Sequence, residues 1–155
     1  MGFPLAYHIT WGTYATRLPG TDRPHIDDQH NQYGTPLAPA NPAREDAARR
    51  SLRFDPVYLN WDERHEVMWA IEEVAARYEW KIHTMAAQKD HVHVVITAPR
   101  EGQQLRDALK AVASRGLNKK FGRREWWAEK GSAKYLFEAD YFANALDYVQ
   151  RQREF

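Results

Sequence analysis

Two histidines are separated by a single residue in the run HVHVVI, which begins at His91. Alternate residues of a β-strand point to the same side, so the imidazoles of His91 and His93 are predicted to project together. Val92, Val94 and Ile96 would then face the other way. Two imidazoles in this relation can hold one divalent cation. The alternative is a pair of partly buried histidines with a structural role.

A tyrosine and a glutamine near the end of the chain can complete such a site. Tyr148 and Gln152 are four residues apart, so on a helix they lie stacked on one flank. The predicted core face of that helix is formed by Phe142, Ala145, Leu146 and Val149. The phenol could attack while the amide oxygen reaches the metal as a third ligand. The alternative is a boundary tyrosine that packs its ring and solvates its hydroxyl.

The chemistry available to these side chains is phosphoryl transfer. A phenol with a pKa near 10 is a poor nucleophile at neutral pH unless its phenolate or the transition state is stabilised. A cation on the scissile phosphate neutralises developing charge and orients the group for in-line attack. The product would be a phosphotyrosine, which preserves the bond energy for religation.

Two other tyrosines compete for the role of nucleophile. Tyr141 lies two turns before Tyr148 on the same flank, but the residue four positions after it is Ala145, which cannot act as a ligand. Tyr135 precedes the helix. Tyr148 is therefore the predicted nucleophile.

The elements that must position these residues follow from the apolar pattern. Tyr7–Tyr14 (YHITWGTY) is predicted as a first strand. Arg17–Pro56 contains six prolines and is predicted to be a long, loop-rich insertion with a short helix at Ala43–Leu52. Asn60 and Glu63 have capping-box spacing at the start of a helix that ends near Glu79.

The second half of the chain completes the pattern. The predicted elements are a β-hairpin (Trp80–Ala86 and His91–Thr97), a helix from Gly102 to Lys120, a strand at Lys134–Phe137 and a last helix capped by Asp140. The order predicts an α+β fold, with a ferredoxin-like split βαβ core, an antiparallel sheet with helices, and an extra C-terminal helix that carries the nucleophile. The length of 155 residues predicts one domain over 1–155.

Composition narrows the class of protein. The absence of cysteine excludes disulfides and thiolate zinc sites. No signal peptide or apolar run long enough for a membrane span is apparent, so a cytoplasmic protein without a membrane partner is expected. The net charge is +1, but Arg100–Lys134 holds ten basic and four acidic residues whereas Asp55–Glu73 holds six acidic residues and one Arg. Polyanion binding on one face fits this distribution, as does plain solvation of charged helices.

Cations and aromatic residues interleave after the second helix, a combination that suits single-stranded nucleic acid. The predicted DNA-binding residues are Lys119, Lys120, Arg123, Arg124, Trp126 and Trp127, extended along the helix by Arg106, Lys110 and Arg115, with Lys89 beside the histidines. The alternative is that both tryptophans plug the edge of the core.

These features together resemble the HUH nucleases, which pair H-hydrophobic-H with a downstream Y-x-x-x-Q helix. The short chain with one catalytic tyrosine is similar to the single-tyrosine insertion-sequence and REP-associated transposases. The resemblance implies Mg²⁺ or Mn²⁺ bound by His91, His93 and Gln152. It further implies attack by Tyr148 on single-stranded or hairpin DNA, leaving a 5′-phosphotyrosine and a free 3′ hydroxyl. It implies a homodimer for insertion-sequence members and a monomer for some REP-associated ones.

The chain departs from the REP-associated pattern at both motifs. Gln88-Lys89-Asp90 stands where Met-Pro-Asn is frequent, and Val149-Gln150-Arg151 where Asn-Pro follows the tyrosine. The substrate class within the family is left open by these departures.

Other classes of protein explain part of the pattern. A phosphoesterase with paired H-x-T motifs would use His8-Ile9-Thr10, but its second motif would lack the hydroxyl. A histidine-triad hydrolase would need a histidine at Val95, and a TIM-barrel hydrolase would need a longer chain. An RRM-like binding module would need aromatic residues on HVHVVI. A domesticated hairpin DNA- or RNA-binding protein that no longer cuts is the remaining alternative.

Overall fold

The computed structural model describes residues 3–16 and 54–153, together with residues 42, 43, 47 and 50. Most of the predicted insertion Arg17–Pro56, and most of the predicted short helix Ala43–Leu52 within it, lies outside the described residues.

Among residues 3–16 and 54–153, seven elements follow one another in the order that the sequence predicts. They are β1 (Ala6–Gly12), α1 (Trp61–Arg77), β2 (Lys81–Ala87), β3 (His91–Thr97), α2 (Gly102–Phe121), β4 (Ser132–Leu136) and α3 (Ala139–Arg151). The strands form one sheet in the order β2-β3-β1-β4, and all neighbours are antiparallel. This is the ferredoxin-like α+β fold, so the prediction is confirmed.

The two faces of the sheet bury different layers. One face packs against α1 and α2 and forms the larger core, which includes Ile9, Trp11 and Val94. The other face packs against α3, whose Ala145 and Val149 are buried in a second, smaller cluster. Because strand residues alternate in direction, the histidines of HVHVVI lie on the α3 face, opposite the valines of the larger core.

The N-terminal cap was predicted correctly for α1 but not for α3. Asn60 and Glu63 form both bonds of the capping box, at 2.8 and 2.9 Å. At α3 the predicted cap Asp140 is wrong. The N-cap is Glu138, whose side chain makes no capping bond, and Asp140 sits in the first turn. An acid there still interacts favourably with the helix dipole, which explains why the sequence signal was misplaced by two residues.

The strand ends also differ slightly from the prediction. β1 stops at Gly12, and the chain continues through an isolated bridge between Thr13 and Trp127. β4 starts two residues earlier than predicted, at Ser132. None of the helices among the described residues is long and apolar enough to cross a membrane.

Candidate active site

The histidine pair lies on β3, one of the two central strands. His93 is opposite Thr10 and His91 is opposite Gly12 in the register with β1. The two imidazole rings are 4.7 Å apart between centroids, and both residues are buried. The structure therefore brings the two predicted metal ligands together on one face of the sheet.

Asp90 holds the ring of His91. Its carboxylate accepts a hydrogen bond of 2.6 Å from Nδ1 of His91, and both side chains are almost inaccessible to solvent. A carboxylate on one nitrogen fixes the tautomer and leaves Nε2 as the nitrogen that can ligate a metal. Sequence reasoning missed this role, although a carboxylate directly before the first histidine was a usable signal.

His93 lies against two polar side chains of β1. Its Nδ1 is 3.1 Å from Nε2 of His8 and 3.1 Å from Oγ1 of Thr10, and Thr10 is 3.3 Å from His8. Burial, with a smaller effect from the charge of Lys134, lowers the pKa of His8 to about 4. Lys134 lies opposite His8 on β4 and adds a half-buried cation to this face.

Tyr148 reaches the same cluster from α3. Its ring centroid is 5.4 Å from that of His93 and 6.1 Å from that of His8. The residue is 44% exposed, so one side of the ring meets the histidines while another remains open to a ligand.

Tyr141 belongs to the other end of α3. Seven residues of helix separate it from Tyr148, which is about 10 Å along the axis. Its neighbour Phe142 packs on His83, which is hydrogen-bonded to Thr97 at the far end of β3. The histidine pair is thus closer to Tyr148.

Gln152 is anchored beside the hairpin that precedes His91. Nε2 of Gln88 donates to the backbone carbonyl of Gln152 at 2.8 Å and to its side-chain oxygen at 3.0 Å. The backbone of Gln88 is held in the β2–β3 turn, where its N–H donates a hydrogen bond to the carbonyl of His91. No feature of the sequence pointed to Gln88 as a partner of the last helix.

The residues present fit a divalent cation with mixed nitrogen and oxygen ligands. Nδ1 of His91 and of His93 are held by neighbours, so the ligating nitrogens would be the two Nε2 atoms. The side-chain oxygen of Gln152 accepts one bond and has a second lone pair. Within the described ranges no group of three His, Cys, Asp or Glu side chains is placed to hold a metal, and among these residues the amide of Gln152 is the predicted third ligand.

Three of the predicted DNA-binding residues are buried, and a fourth, Lys110, is half-buried. Arg106 is buried and donates to the carbonyl of Gly131, and Lys110 donates to the carbonyls of Ala128 and Lys130. Trp126 and Trp127 are core residues, only 2% and 7% exposed. The ring faces of the two tryptophans do not meet solvent, and the side chains of Arg106 and Lys110 hydrogen-bond to the backbone that leads into β4. This corrects the sequence-based assignment: the interleaved aromatics plug the core edge.

The other predicted DNA-binding residues are exposed but fall into two groups. Arg115 and Lys119 line a groove between α1 and α2, on the layer opposite the histidines, together with Glu66 and Glu73. The second group consists of exposed cations outside that groove: Lys89, in the turn before His91, and Lys120, Arg123 and Arg124, which precede Trp126 in the chain. The chain after Arg124 joins the end of the sheet that carries Asp90. The backbone N–H of Tyr14 donates to the carbonyl of Trp126, and the N–H of Thr13 donates to the carbonyl of Asp90.

The fold and the site together define a class of protein: a ferredoxin-like domain with a paired-histidine motif on a central strand and a helix with a tyrosine packed across it. The sequence model of the IS200-like transposases matches residues 56–153. Because this match spans more than half of the chain, the protein belongs to the IS200-like family of HUH transposases. The match starts after β1, so His8 and Thr10 lie outside it.

One solved structure shares the fold of this chain, and a second is similar at a lower score. A REP-associated tyrosine transposase bound to a REP hairpin is similar with a TM-score of 0.52 and 11% identity, over 93% of this chain and 63% of that chain. The present chain therefore spans less than two thirds of that protein. A proposed transposase from Deinococcus radiodurans R1 has a TM-score of 0.47 and 13% identity, over 100% of this chain and 95% of that chain. No curated protein matches the chain.

Proposed function

We propose that this protein cleaves and rejoins single-stranded DNA through a covalent 5′-phosphotyrosine on Tyr148. The observation that carries the proposal is the contact between the Tyr148 ring and the ring of His93, 5.4 Å between centroids, within one chain. An attacking phenol and metal ligands must both reach one phosphate, and the proximity of Tyr148 on α3 to His93 on β3 supports these roles.

The chemical step exchanges one phosphodiester for another. The oxygen of Tyr148 loses its proton and bonds to the phosphorus, and the bond from phosphorus to the 3′ oxygen breaks. The departing 3′ oxygen takes up a proton and becomes a hydroxyl. Religation is the reverse: a 3′ hydroxyl attacks the phosphotyrosine and Tyr148 regains its proton.

His91, His93 and Gln152 would hold a divalent cation, Mg²⁺ or Mn²⁺. When bound, such an ion supplies charge neutralisation on the scissile phosphate. The chain contributes the orientation: Asp90 fixes His91, and Gln88 fixes the amide of Gln152. Fixed ligands spare the reorganisation that a flexible site would need at each turnover.

DNA would approach at the strand ends that carry His91. Lys89 is exposed in the turn before His91, and Lys120, Arg123 and Arg124 are exposed in the stretch that leads to Trp126, which pairs with this end of the sheet. Lys134 adds a charge on the same face as His8. Cations of this kind neutralise phosphates and make binding salt-dependent. Because a structural neighbour is bound to a REP hairpin, a DNA hairpin with a single-stranded flank is the proposed substrate class.

The test is formation of a covalent adduct. The wild-type protein, incubated with labelled hairpin DNA and Mn²⁺, is expected to give a protein–DNA species that survives denaturing electrophoresis. Tyr148→Phe is expected to abolish it because the attacking oxygen is removed. Tyr141→Phe is the matched control and keeps the adduct. His91→Ala is expected to lose the adduct together with metal-dependent activity.

Contrary outcomes have definite meanings. An adduct that forms with Tyr148→Phe but not with Tyr141→Phe would reassign the nucleophile. Full cleavage without any divalent cation would overturn the metal site. Tight hairpin binding with no adduct under any condition would indicate the non-cleaving, domesticated alternative.

A further inference from the structure

His8 and Thr10 form a closed polar triangle with His93 that the proposed chemistry does not otherwise use. The three atoms involved are Nε2 of His8, Oγ1 of Thr10 and Nδ1 of His93, separated by 3.1, 3.1 and 3.3 Å. All three residues are less than a tenth exposed. Water is therefore not the partner that organises this nitrogen of His93.

The register of the sheet brings the three side chains of the triangle together. Thr10 on β1 is directly opposite His93 on the antiparallel neighbour β3. His8 lies two residues before Thr10 on β1, so its side chain points to the same face. Directly paired positions have Cβ atoms about 5 Å apart, so a short hydroxyl on one strand meets the near nitrogen of an imidazole on the other. In this arrangement Nδ1 is the nitrogen of His93 that faces β1.

The position of one proton follows from this geometry. A neutral imidazole that ligates a cation through Nε2 must carry its proton on Nδ1. That proton has two acceptors within 3.1 Å, the hydroxyl oxygen of Thr10 and Nε2 of His8. The Thr10 hydroxyl can in turn donate to Nε2 of His8.

We propose that Thr10 and His8 are positioning residues that hold the Nδ1–H of His93 and so direct its Nε2 toward the cation. The inference rests on the proposed metal site. It assigns to β1 the role that Asp90 has for His91, with a hydroxyl–imidazole pair in place of a carboxylate. Outer partners of this kind affect metal affinity by about 10- to 100-fold.

The experiment measures Mn²⁺ affinity by calorimetry and the tautomer of His93 by long-range ¹⁵N–¹H NMR with Mg²⁺. Thr10→Val is expected to weaken Mn²⁺ binding by about tenfold or more and to reduce the Nδ1–H population of His93. Thr10→Ser keeps the hydroxyl and is expected to restore most of the affinity. Thr84→Val is the matched control, because Thr84 is a buried threonine opposite Val95 on the same face and its hydroxyl has no hydrogen-bond partner.

The possible failures are distinguishable. If the wild type binds Mn²⁺ and forms the adduct, but Thr10→Val does both equally well, this inference is overturned and the proposed function stands. If the wild type binds no Mn²⁺, the metal site fails and the inference fails with it. If Thr10→Val proves unstable, Thr10→Ser and His8→Phe decide, since weakened binding in His8→Phe with retention in Thr10→Ser is the expected pattern. Equal binding in both variants would also overturn the inference.

Discussion

Single hydrogen bonds determine what the candidate site can do. The carboxylate of Asp90 lies 2.6 Å from His91 in a nearly dry environment, where charge-assisted bonds are strong. The bond orients the imidazole and fixes its tautomer, with Nε2 left to act as a ligand. The residue before the motif is therefore part of the site.

Asp90→Asn is expected to weaken Mn²⁺ binding by about 10- to 100-fold. An amide can still reach Nδ1, but it carries no negative charge and can present an N–H where an acceptor is needed. Calorimetric titration measures the effect. Asp147→Asn, an exposed carboxylate paired with Arg151 on α3, serves as the control and keeps wild-type affinity. Equal affinities for the two variants would remove Asp90 from the site.

His83, which is not one of the candidate metal ligands, is expected to make the stability of the fold depend on pH. Burial, and secondarily the charge of Lys81, lowers the pKa of His83. The Thr97 hydroxyl donates to the carbonyl of Leu5, so it accepts from Nε2 of His83. A histidine whose pKa is lowered in the fold favours the folded state above its unfolded pKa of about 6.5. This stabilisation is lost as the pH falls below that value toward the folded pKa.

The unfolding free energy should therefore fall more between about pH 7.5 and pH 5.5 in the wild type than in His83→Gln. Urea titrations at the two pH values measure both differences. An identical loss in the two proteins would show that His83 titrates alike in the folded and unfolded states.

Part of the site was predictable at the level of residues because alternation along a strand is a local rule. It placed His91 and His93 together, and helical spacing placed Tyr148 and Gln152 on one flank. The Gln88–Gln152 pair joins positions 64 residues apart, and no local rule connects such residues. The burial of the two tryptophans was not predictable for a similar reason. A basic, aromatic-rich stretch has the same composition whether its rings face the core or the solvent.

At the level of elements, the start of a helix was predictable where side chains of the sequence cap its first turn. The reciprocal bonds of Asn60 and Glu63 fix the start of α1. At α3 no side chain caps the first turn, so its position is set by packing of Ala145 and Val149 on the sheet. Tertiary packing of this kind is not encoded in a short window of sequence.

Asn60→Ala is expected to lower the free energy of unfolding by about 1 kcal/mol, the usual cost of a lost N-cap. Glu138→Ala removes the side chain at the equivalent position of α3 and should change it by less than about 0.5 kcal/mol, because no capping bond is lost. Urea denaturation of both variants makes the comparison. A larger loss from Glu138→Ala would mean that α3 is capped in solution by a bond absent from this structure.

At the scale of the whole molecule, the sheet separates two tasks. One face, with α1 and α2, provides the larger hydrophobic core, and the other face holds the polar cluster under α3. The element order predicted this division, because the ferredoxin-like topology leaves one face for an added helix. The order alone could not show whether that helix covers its own sheet or that of a second copy, since both arrangements bury the same apolar stripe.

The structure answers this for one chain, and the answer is testable by complementation. Tyr148 contacts His93 of its own chain, and α3 is tied to its own hairpin through Gln88. Tyr148→Phe and His91→Ala each damage a different half of the site. If both halves always come from one chain, an equal mixture of the two inactive variants contains no intact site and should form no adduct with hairpin DNA and Mn²⁺.

A dimer that exchanges α3 between subunits gives the opposite result. Random reassociation would place about half of the subunits in mixed dimers, each with one intact pair of Tyr148 and His91. The adduct would then reappear at a sizeable fraction of the wild-type yield. Each variant mixed with wild type controls for inhibition by the inactive partner, and prior unfolding and refolding of the mixture ensures that the subunits exchange. Reappearance of the adduct would show that α3 leaves the position seen here to complete the partner's site, whereas its absence after verified exchange assigns every step to a single chain.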